Sequence, residues 1–284
     1  MDIRKLAHAE YPNSLHEIPD PPKDLWIQGT LPPEGTKYLA VVGSRALSGY
    51  GKEACSKLIS GLAGYPISIV SGLALGADSA AHRTALTHGL HTIAVPGSGL
   101  AEGAISPRTN LGLAHEILQA GGALLSEHEP NYKPFPYDFP SRNRIMVGMS
   151  DAVLMIEAGE KSGTLITARL TAEYNRELLC VPHRIGDVHG FGSHLFLRLG
   201  ATLATDALHI LEALRITPRL EGEVRETVHL EGNERSIYDL LAEPRSRDEL
   251  VRRSKLSVGD ALTALVTLEL KGLVHEEFGA WRRT

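Results

Sequence analysis

Two arginines, an asparagine and a run of small polar residues together have the chemistry of a phosphate site. Arg142, Asn143 and Arg144 lie in a stretch that predicts a helix, and a buried strand is expected after it over 152–157. That strand leads into the turn Ser162-Gly163-Thr164, and another helix is expected at once. A strand–turn–helix junction directs backbone N–H groups and the positive helix end at one point, where small residues let an anion approach. Because guanidinium groups pair well with phosphate, the sequence predicts a phosphate site here.

Further loops of small residues follow other expected strands. Gly43-Ser44-Arg45 follows the first, residues 71–78 follow the second, and Pro96-Gly97-Ser98-Gly99 follows the third. The first loop only partly matches a dinucleotide fingerprint, because Arg45 replaces the glycine that lets the backbone touch a pyrophosphate. An arginine there suits an exposed phosphodiester better. A tight strand-to-helix turn explains the glycines of any single loop equally well, but several loops and three arginines at one sheet edge favour a binding site.

Catalytic and metal-binding groups are weaker candidates. Asp78 and His82 lie four residues apart on an expected helix and share a face. They have acid–base or metal-ligand chemistry, but we interpret Asp78 as a helix cap and His82 as a locally hydrogen-bonded side chain. Ser71 and Ser162 lack the Gly-x-Ser-x-Gly surroundings of a nucleophile elbow. We therefore predict no catalytic residue and no metal site.

The elements that must position these groups alternate along the chain. Short apolar runs are separated by stretches of helical pattern, which is typical of a mostly parallel sheet with helices on both faces. The runs are Tyr38–Val42, Ile67–Val70, Thr92–Val95, Ala123–Leu125, Val153–Ile156 and Leu178–Val181. Ligands of such α/β sheets bind beyond the carboxyl ends of the strands, where the loops above are expected to meet.

Composition restricts the class of partner. The 284-residue chain has a formal net charge of -5 and a sequence pI of about 6.2, whereas a protein that binds duplex DNA non-specifically is usually basic. Any nucleic-acid site must therefore be a local patch. The two cysteines, Cys55 and Cys180, have no metal-ligand spacing and fit a reducing cytosol. We find no signal peptide and no membrane span, so we expect a cytoplasmic protein.

The pattern changes near residue 216. Residues 1–215 are expected to form the α/β domain, with an N-terminal extension over 1–36, and residues 216–232 read as a linker rich in charge, proline and glycine. Residues 233–284 predict three helices and a hairpin turning at Gly279, the pattern of a winged helix. Such a domain usually places its last helix in a major groove. Because acidic residues outnumber basic ones over 222–284, a protein-contact role is an equal alternative.

Taken together, the motifs resemble those of a known family. They are Gly43-Ser44-Arg45, Ser71-Gly72-Leu73-Ala74 with Gly76 and Asp78, Ala81-His82, Phe139-Pro140 with Arg142-Asn143-Arg144, and Ser162-Gly163-Thr164-Leu165-Ile166-Thr167-Ala168. In this order and spacing they resemble the DNA-processing protein A (DprA/Smf) family over roughly residues 10–284. The resemblance implies a homodimeric, Rossmann-like protein that binds single-stranded DNA. It also implies that the protein loads RecA onto incoming strands in natural transformation, past single-strand-binding protein, without catalysis or a cofactor.

On this hypothesis, DNA phosphates are held from two sides of the sheet edge. Gly43, Ser44 and Arg45 are expected on one side, and Arg142, Asn143 and Arg144 on the other. Gly72, Ser162, Gly163 and Thr164 are expected to complete the phosphate site, and Lys161 is expected at its rim. Phe139 is expected either to stack on a base or to anchor the loop.

An enzyme of the same superfamily is the alternative. Related phosphoribohydrolases, which cleave nucleoside monophosphates, carry Gly-Gly-x-Gly-Thr-x-x-Glu and use the glutamate at the glycosidic bond. Here Thr167 stands at the place of that glutamate, and threonine cannot stabilise an oxocarbenium-like centre. Glu157 and Glu160 are the carboxylates nearest the turn, and we expect such a group to pair with Arg142 or Arg144.

Overall fold

The computed structural model describes residues 2–218, 230, 232–241, 243–277 and 280–283. The chain divides into two compact units, Met1–Pro218 and Arg219–Thr284. The linker expected over 216–232 lies largely outside the described residues.

The first unit is built on one sheet of nine strands among the described residues. The strands are β1 Arg4–Lys5, β2 Trp26–Gly29, β3 Lys37–Val42, β4 Ile67–Ser71, β5 His91–Ala94, β6 Ala123–Ser126, β7 Ala152–Met155, β8 Glu177–Cys180 and β9 Thr202–Leu203. Their order is β1-β2-β6-β5-β4-β3-β7-β8-β9. The β1–β2 and β2–β6 pairs are antiparallel and the other pairs are parallel, which confirms the mostly parallel α/β sheet.

Helices pack on both faces of this sheet. They are α1 Asn13–His16, α2 Gly49–Ser60, α3 Ala77–Thr87, α4 Leu111–Gln119, α5 Asp138–Met149, α6 Thr164–Glu173, α7 Phe191–Arg198 and α8 Ala207–Ala213, with 3-10 turns at His8–Glu10 and Arg108–Asn110. Side chains of β3 point alternately to the two faces, so that Ala40 and Val42 join one apolar cluster while Leu39 and Val41 join another. Burial on both faces explains why the strands appear in the sequence as continuous apolar runs.

The chain reverses direction across the sheet between β3 and β7. From β3 it runs outward through β4 and β5 to β6, and it then returns to place β7 on the other side of β3. The loops that leave the carboxyl ends of β3 and β7 therefore diverge to opposite faces of the sheet. A crevice opens at such a switch point, and ligands of α/β proteins bind there.

The N-terminal extension contributes a strand that the sequence pattern did not reveal. Residues Trp26–Gly29 form β2 and pair with β6, with Trp26 opposite Ser126 and Gly29 opposite Ala123. Leu25 and Ile27 are fully buried in the core of the first unit. Only alternate residues of this segment are buried apolar groups, so it lacks the continuous apolar run that marks the central strands.

The second unit is a winged helix, as expected. It comprises α9 Gly232–Leu240, α10 Arg247–Ser254, α11 Val258–Leu270, β10 Val274–Glu277 and β11 Ala280–Arg283. Ser246 caps α10 by accepting a hydrogen bond from the Glu249 N–H, and Ser257 caps α11 in the same way through Asp260. The helices pack around Leu250, Leu265 and Trp281. Gly279, where the hairpin turn was predicted, lies outside the described residues.

Candidate functional site

A cleft of about 630 Å³ lies at the carboxyl ends of β3 and β7. It is bounded by the loop after β3, the start of α5, the turn between β7 and α6, and the loop after β8. Ten of the twelve residues predicted from the sequence line it: Gly43, Ser44, Arg45, Phe139, Arg142, Asn143, Lys161, Ser162, Gly163 and Thr164. Asp78, Thr167, Val188 and His189 also line the cleft.

Two exposed cations stand at the cleft. Arg45 follows β3 and Lys161 precedes α6, and neither has a carboxylate partner within ion-pair distance among the described residues. The guanidinium carbon of Arg45 lies 5.3 Å from the centroid of the Phe139 ring, in a cation–π arrangement. Because both charges are exposed and have no carboxylate partner in the described part of the chain, they are available to an anionic ligand.

A buried cation forms the floor of the cleft. Arg142 is 5% exposed, and its Nη1 donates to the carbonyls of Gly72 (2.6 Å) and Val95 at the carboxyl ends of β4 and β5. Burial lowers the pKa of Arg142 to about 10, while the nearby Asp78 carboxylate raises it and Arg45 lowers it further. Burial raises the pKa of Asp78, and Arg142 opposes this shift. The two groups thus compensate each other's charge beneath the cleft.

Asn143 connects this cation to α6. Its Oδ1 accepts a hydrogen bond from Arg142 Nε (3.1 Å), and its Nδ2 donates to Thr167 Oγ1 (2.9 Å). Thr167 is 1% exposed, and its hydroxyl accepts this hydrogen bond below the surface of α6. Asn143 therefore links Arg142 to α6, and one N–H of its amide is engaged in that link.

The turn before α6 satisfies most of its own backbone groups. The N–H of Thr164 donates to Ser162 Oγ (3.2 Å), and the N–H groups of Leu165 and Ile166 donate to the carbonyls of Ser162 and Gly163. Fewer N–H groups are free than the strand–turn–helix pattern predicts, because the turn folds back on itself. The attraction for anions here comes from the α6 dipole and Lys161. A Cβ at the exposed Gly163 would meet nothing within 4 Å, so the turn is open to the cleft.

Two predicted residues do not line the cleft. Arg144 contacts Glu127 Oε2 (2.5 Å) and Asp20 Oδ2 (3.2 Å). Residues two positions apart on an α-helix are rotated by about 200°, so Arg142 and Arg144 point to nearly opposite sides of α5. Gly72 lies beneath the cleft, where its carbonyl holds Arg142.

The expectation that a carboxylate near the turn pairs with Arg142 or Arg144 is wrong for Glu157. Glu157 is fully buried and accepts hydrogen bonds from the Ser48 N–H (3.0 Å) and hydroxyl. Ser48 in turn caps α2 by accepting from the Gly51 N–H. His189 Nδ1 lies 3.7 Å from Glu157 Oε2 on the side of the cleft. His189 was not predicted as a cleft residue, although its place in the loop after β8 sets it at the same sheet edge.

Within the described residues, no three His, Cys, Asp or Glu side chains are grouped so that they could hold a metal ion. No helix in the described part of the chain has both the length and the apolar character needed to cross a bilayer.

Comparison with known sequences identifies relatives along nearly the whole chain. A family model described as DNA recombination-mediator protein A matches residues 3–215, and one described as the DprA winged helix domain matches residues 221–279. Protein Smf from Escherichia coli is 36% identical over 281 residues, which cover 96% of this chain and 75% of that protein. DNA processing protein DprA from Streptococcus pneumoniae is 39% identical over 201 residues, which cover 71% of this chain and 70% of that protein.

Solved structures agree with the sequence relationship. DNA processing protein A from Streptococcus pneumoniae superposes with a TM-score of 0.69 and 37% identity, covering 74% of each chain. The protein of the same name from Helicobacter pylori, whose structure concerns its binding of single-stranded DNA, superposes with a TM-score of 0.66 and 30% identity. That match covers 75% of this chain and 95% of the Helicobacter chain.

Proposed function

We propose that this chain, which belongs to the DNA recombination-mediator protein A family, binds single-stranded DNA in the cleft between β3 and β7. The observation that carries this proposal is the arrangement of Arg45, Lys161 and Phe139 at one opening. Two unpaired cations attract phosphates, and an aromatic ring beside them offers a surface for a base. The Helicobacter relative, whose structure concerns single-stranded DNA binding, has the same kind of ligand.

The shape and charge of the cleft favour a single strand over a duplex. The opening is a crevice at the edge of a sheet, and a flexible strand can bend its phosphates and bases into it, whereas the bases of a duplex stay stacked inside the helix. The chain has a formal net charge of -5, which favours a local binding site over broad non-specific attraction to a duplex. Binding is expected to weaken steeply with salt because phosphate contacts release counterions.

The biological role that we propose is that of a recombination mediator. In it, the protein loads RecA onto incoming single strands in natural transformation and displaces single-strand-binding protein. We further propose that it acts as a homodimer in the cytoplasm. Family membership supports the mediator role, and two clefts on one dimer would hold one strand more firmly than a single cleft.

We propose that the cleft binds its ligand without cleaving it. Thr167 occupies the position where a phosphoribohydrolase needs a carboxylate, and its hydroxyl accepts a hydrogen bond from Asn143. Glu157 is fully buried against Ser48 and does not line the cleft. The pure protein is therefore expected to release no free base from any nucleoside monophosphate, and chromatographic detection of such a base would support the enzyme alternative instead.

Replacement of Arg45 tests the binding proposal. Arg45→Ala is expected to weaken single-strand binding roughly tenfold for every base sequence, because a charge-assisted phosphate contact is lost. The slope of affinity against salt should fall by about 0.7, the value for one phosphate contact on a single strand. Fluorescence anisotropy with single-stranded and duplex DNA of the same length, over a range of salt concentrations, measures both quantities.

Arg83→Ala provides the matched control. Arg83 is an exposed arginine of α3 that pairs with Glu116 and does not line the cleft. Its loss changes the net charge as Arg45→Ala does, but it should leave the affinity nearly unchanged. Equal affinity of the unaltered protein for single strands and duplex at near-physiological salt would contradict the proposal, as would normal binding by Arg45→Ala.

A further inference from the structure

An exposed pair of aromatic rings lies in the segment between β6 and α5. Phe135 is 54% exposed and Tyr137 is 66% exposed, although large aromatic side chains are normally well buried. Their ring centroids are 5.6 Å apart and their planes differ by only 5°. The two side chains, called the aromatic pair below, thus lie parallel to each other with more than half of each side chain exposed.

The aromatic pair is held in place from below. The buried carboxylate of Asp138 accepts hydrogen bonds from the Phe135 N–H (2.7 Å) and from the Tyr132 hydroxyl (3.0 Å). The pKa of Tyr132 is raised to about 12, first by partial removal from water and then by the hydrogen bonds of its hydroxyl with Asp138 and Tyr137. His128 stacks on Tyr132 at 4.1 Å between centroids. Rings that are fixed before a ligand arrives lose little conformational entropy on binding.

The aromatic pair is continuous with the cleft along the chain. Tyr137 immediately precedes α5, and the first turn of that helix carries Phe139 into the cleft against Arg45. Lys133, two residues before Phe135 in the chain, is exposed and has no carboxylate partner within ion-pair distance among the described residues. Exposed aromatic rings and an exposed cation therefore occupy the segment that leads directly into the cleft residue Phe139.

We propose that the aromatic pair is a second base-stacking subsite, which holds the bases of a single strand where that strand leaves the cleft. The inference rests on the proposed binding of single-stranded DNA. A single strand carries both bases, which stack on aromatic rings, and phosphates, which an exposed ammonium group such as that of Lys133 attracts. Stacking tolerates any base because every base has a π-face. A strand long enough to reach both subsites should gain affinity that a strand confined to the cleft lacks.

Abasic nucleotides test this inference on the full chain without any mutation. One strand consists of thymidines throughout, and the other has about six thymidines, enough to fill one site, flanked on both sides by abasic nucleotides. Both strands have the same length and charge, so they differ only in the bases available outside the cleft. The unaltered protein is expected to bind the all-thymidine strand roughly tenfold more tightly, because one or two stacking contacts are added.

Variants of the aromatic pair identify the partner of those outer bases. The double variant Phe135→Leu, Tyr137→Leu keeps apolar side chains but removes both rings. It should bind the two strands equally, with the affinity of the unaltered protein for the flanked strand. Tyr137→Phe keeps the ring and loses the hydroxyl, and it should still prefer the all-thymidine strand. A double variant that keeps the tenfold preference would overturn the inference.

The outcomes separate this inference from the proposed function. If single strands fail to bind the unaltered protein, or bind Arg45→Ala normally, the proposed function is wrong. If Arg45→Ala weakens both strands while the double variant behaves as the unaltered protein does, only the stacking subsite is wrong. A double variant that binds every strand normally but no longer stimulates RecA filaments would make the pair a protein contact, and that result also overturns the inference.

Discussion

Arg45 and Arg142 show how the surroundings of a residue decide its role. Both are arginines that line the cleft, but Arg45 is exposed and unpaired, whereas Arg142 is buried and bonded to two backbone carbonyls. Arg45 is therefore free to meet an incoming phosphate. Arg142 supplies positive charge to the floor of the cleft while it fixes the ends of β4 and β5.

His82, close beneath that floor, should make the stability of the fold depend on pH. It is fully buried on α3, and its Nδ1 lies 2.8 Å from Thr92 Oγ1. Burial, followed by the charge of Arg142, lowers the pKa of His82 from 6.5 to about 3. Because the folded pKa is lower than the unfolded one, the stability from neutral His82 is present above pH 6.5 and is lost as the pH falls towards 3.

One substitution isolates the contribution of His82 to the pH dependence of the free energy of unfolding. His82→Asn keeps an amide group near Thr92 but cannot titrate. Between pH 6 and 4, the free energy of unfolding of the unaltered protein should fall by up to about 1.4 kcal/mol per pH unit more than that of His82→Asn. Asp78 acts in the opposite sense because its pKa is raised, and it is present in both proteins. Urea unfolding at several pH values measures the difference, with the exposed His88→Asn as control; identical slopes for His82→Asn and the unaltered protein would refute it.

At the scale of elements, the side of α5 on which a residue lies decides whether that residue lines the cleft. Arg142 and Asn143 point to the cleft, whereas Arg144 points away and pairs with Glu127. The chain just after β4 also packs closely against this helix, at Gly72. A Cβ on Gly72 would overlap the guanidinium of Arg142, so a larger residue there requires the buried arginine to shift away from its carbonyl acceptors.

A matched pair of glycine substitutions tests this close approach. Gly72→Ala should force Arg142 from its two carbonyl acceptors and lower the free energy of unfolding by about 2 kcal/mol or more. Gly112→Ala is the control, since Gly112 is exposed in α4 and a Cβ there would meet nothing within 4 Å. It should raise stability by about 0.5 kcal/mol, because alanine is the better helix residue. The expectation fails if urea unfolding shows Gly72→Ala to be as stable as Gly112→Ala.

The positions of the central strands were predictable from the sequence because each buried position of a strand carries an apolar residue. The apolar runs placed β3 to β8 within a residue or two, since strands covered on both faces need apolar side chains at every position. The side on which Arg144 lies follows from helical rotation once α5 is known. Its acceptors, Asp20 and Glu127, are far away in the sequence, as is the bond between Glu157 and Ser48. Such long-range pairings leave no local pattern.

The winged-helix unit gives its last helix an unusual surface for a duplex-reading element. Helix α11 carries Asp260 and Glu269 and contains neither lysine nor arginine. Val266 is 51% exposed and Leu270 is 85% exposed one helical turn later. Exposed apolar groups with acidic neighbours favour a protein contact over binding to phosphates, and this supports the second of the two alternatives that the sequence left open.

At the scale of the whole molecule, DNA binding and assembly are proposed to belong to the first unit. Residues 1–215 should form a dimer and bind single strands with the affinity of the full chain, because the cleft lies entirely within this unit. A strand long enough to span two clefts should bind more tightly than a short one, through the effective concentration of the second site. Light scattering coupled to size exclusion measures the mass; a clean monomer of residues 1–215, beside a dimeric full chain, would refute the assignment.

The double role of Arg142 has a genetic consequence. One guanidinium joins two strands of the core and also lines the ligand site, so an inherited change at this position lowers the amount of folded protein together with its binding. Changes at Asp78 and Gly72 should have the same double effect, because both groups hold Arg142 in place. Substitutions that weaken DNA binding without lowering the amount of folded protein are therefore expected at Arg45 and Lys161, whose exposed side chains are not part of the core. Natural variation that tunes DNA affinity in this lineage should accumulate at the rim of the cleft while its floor stays fixed.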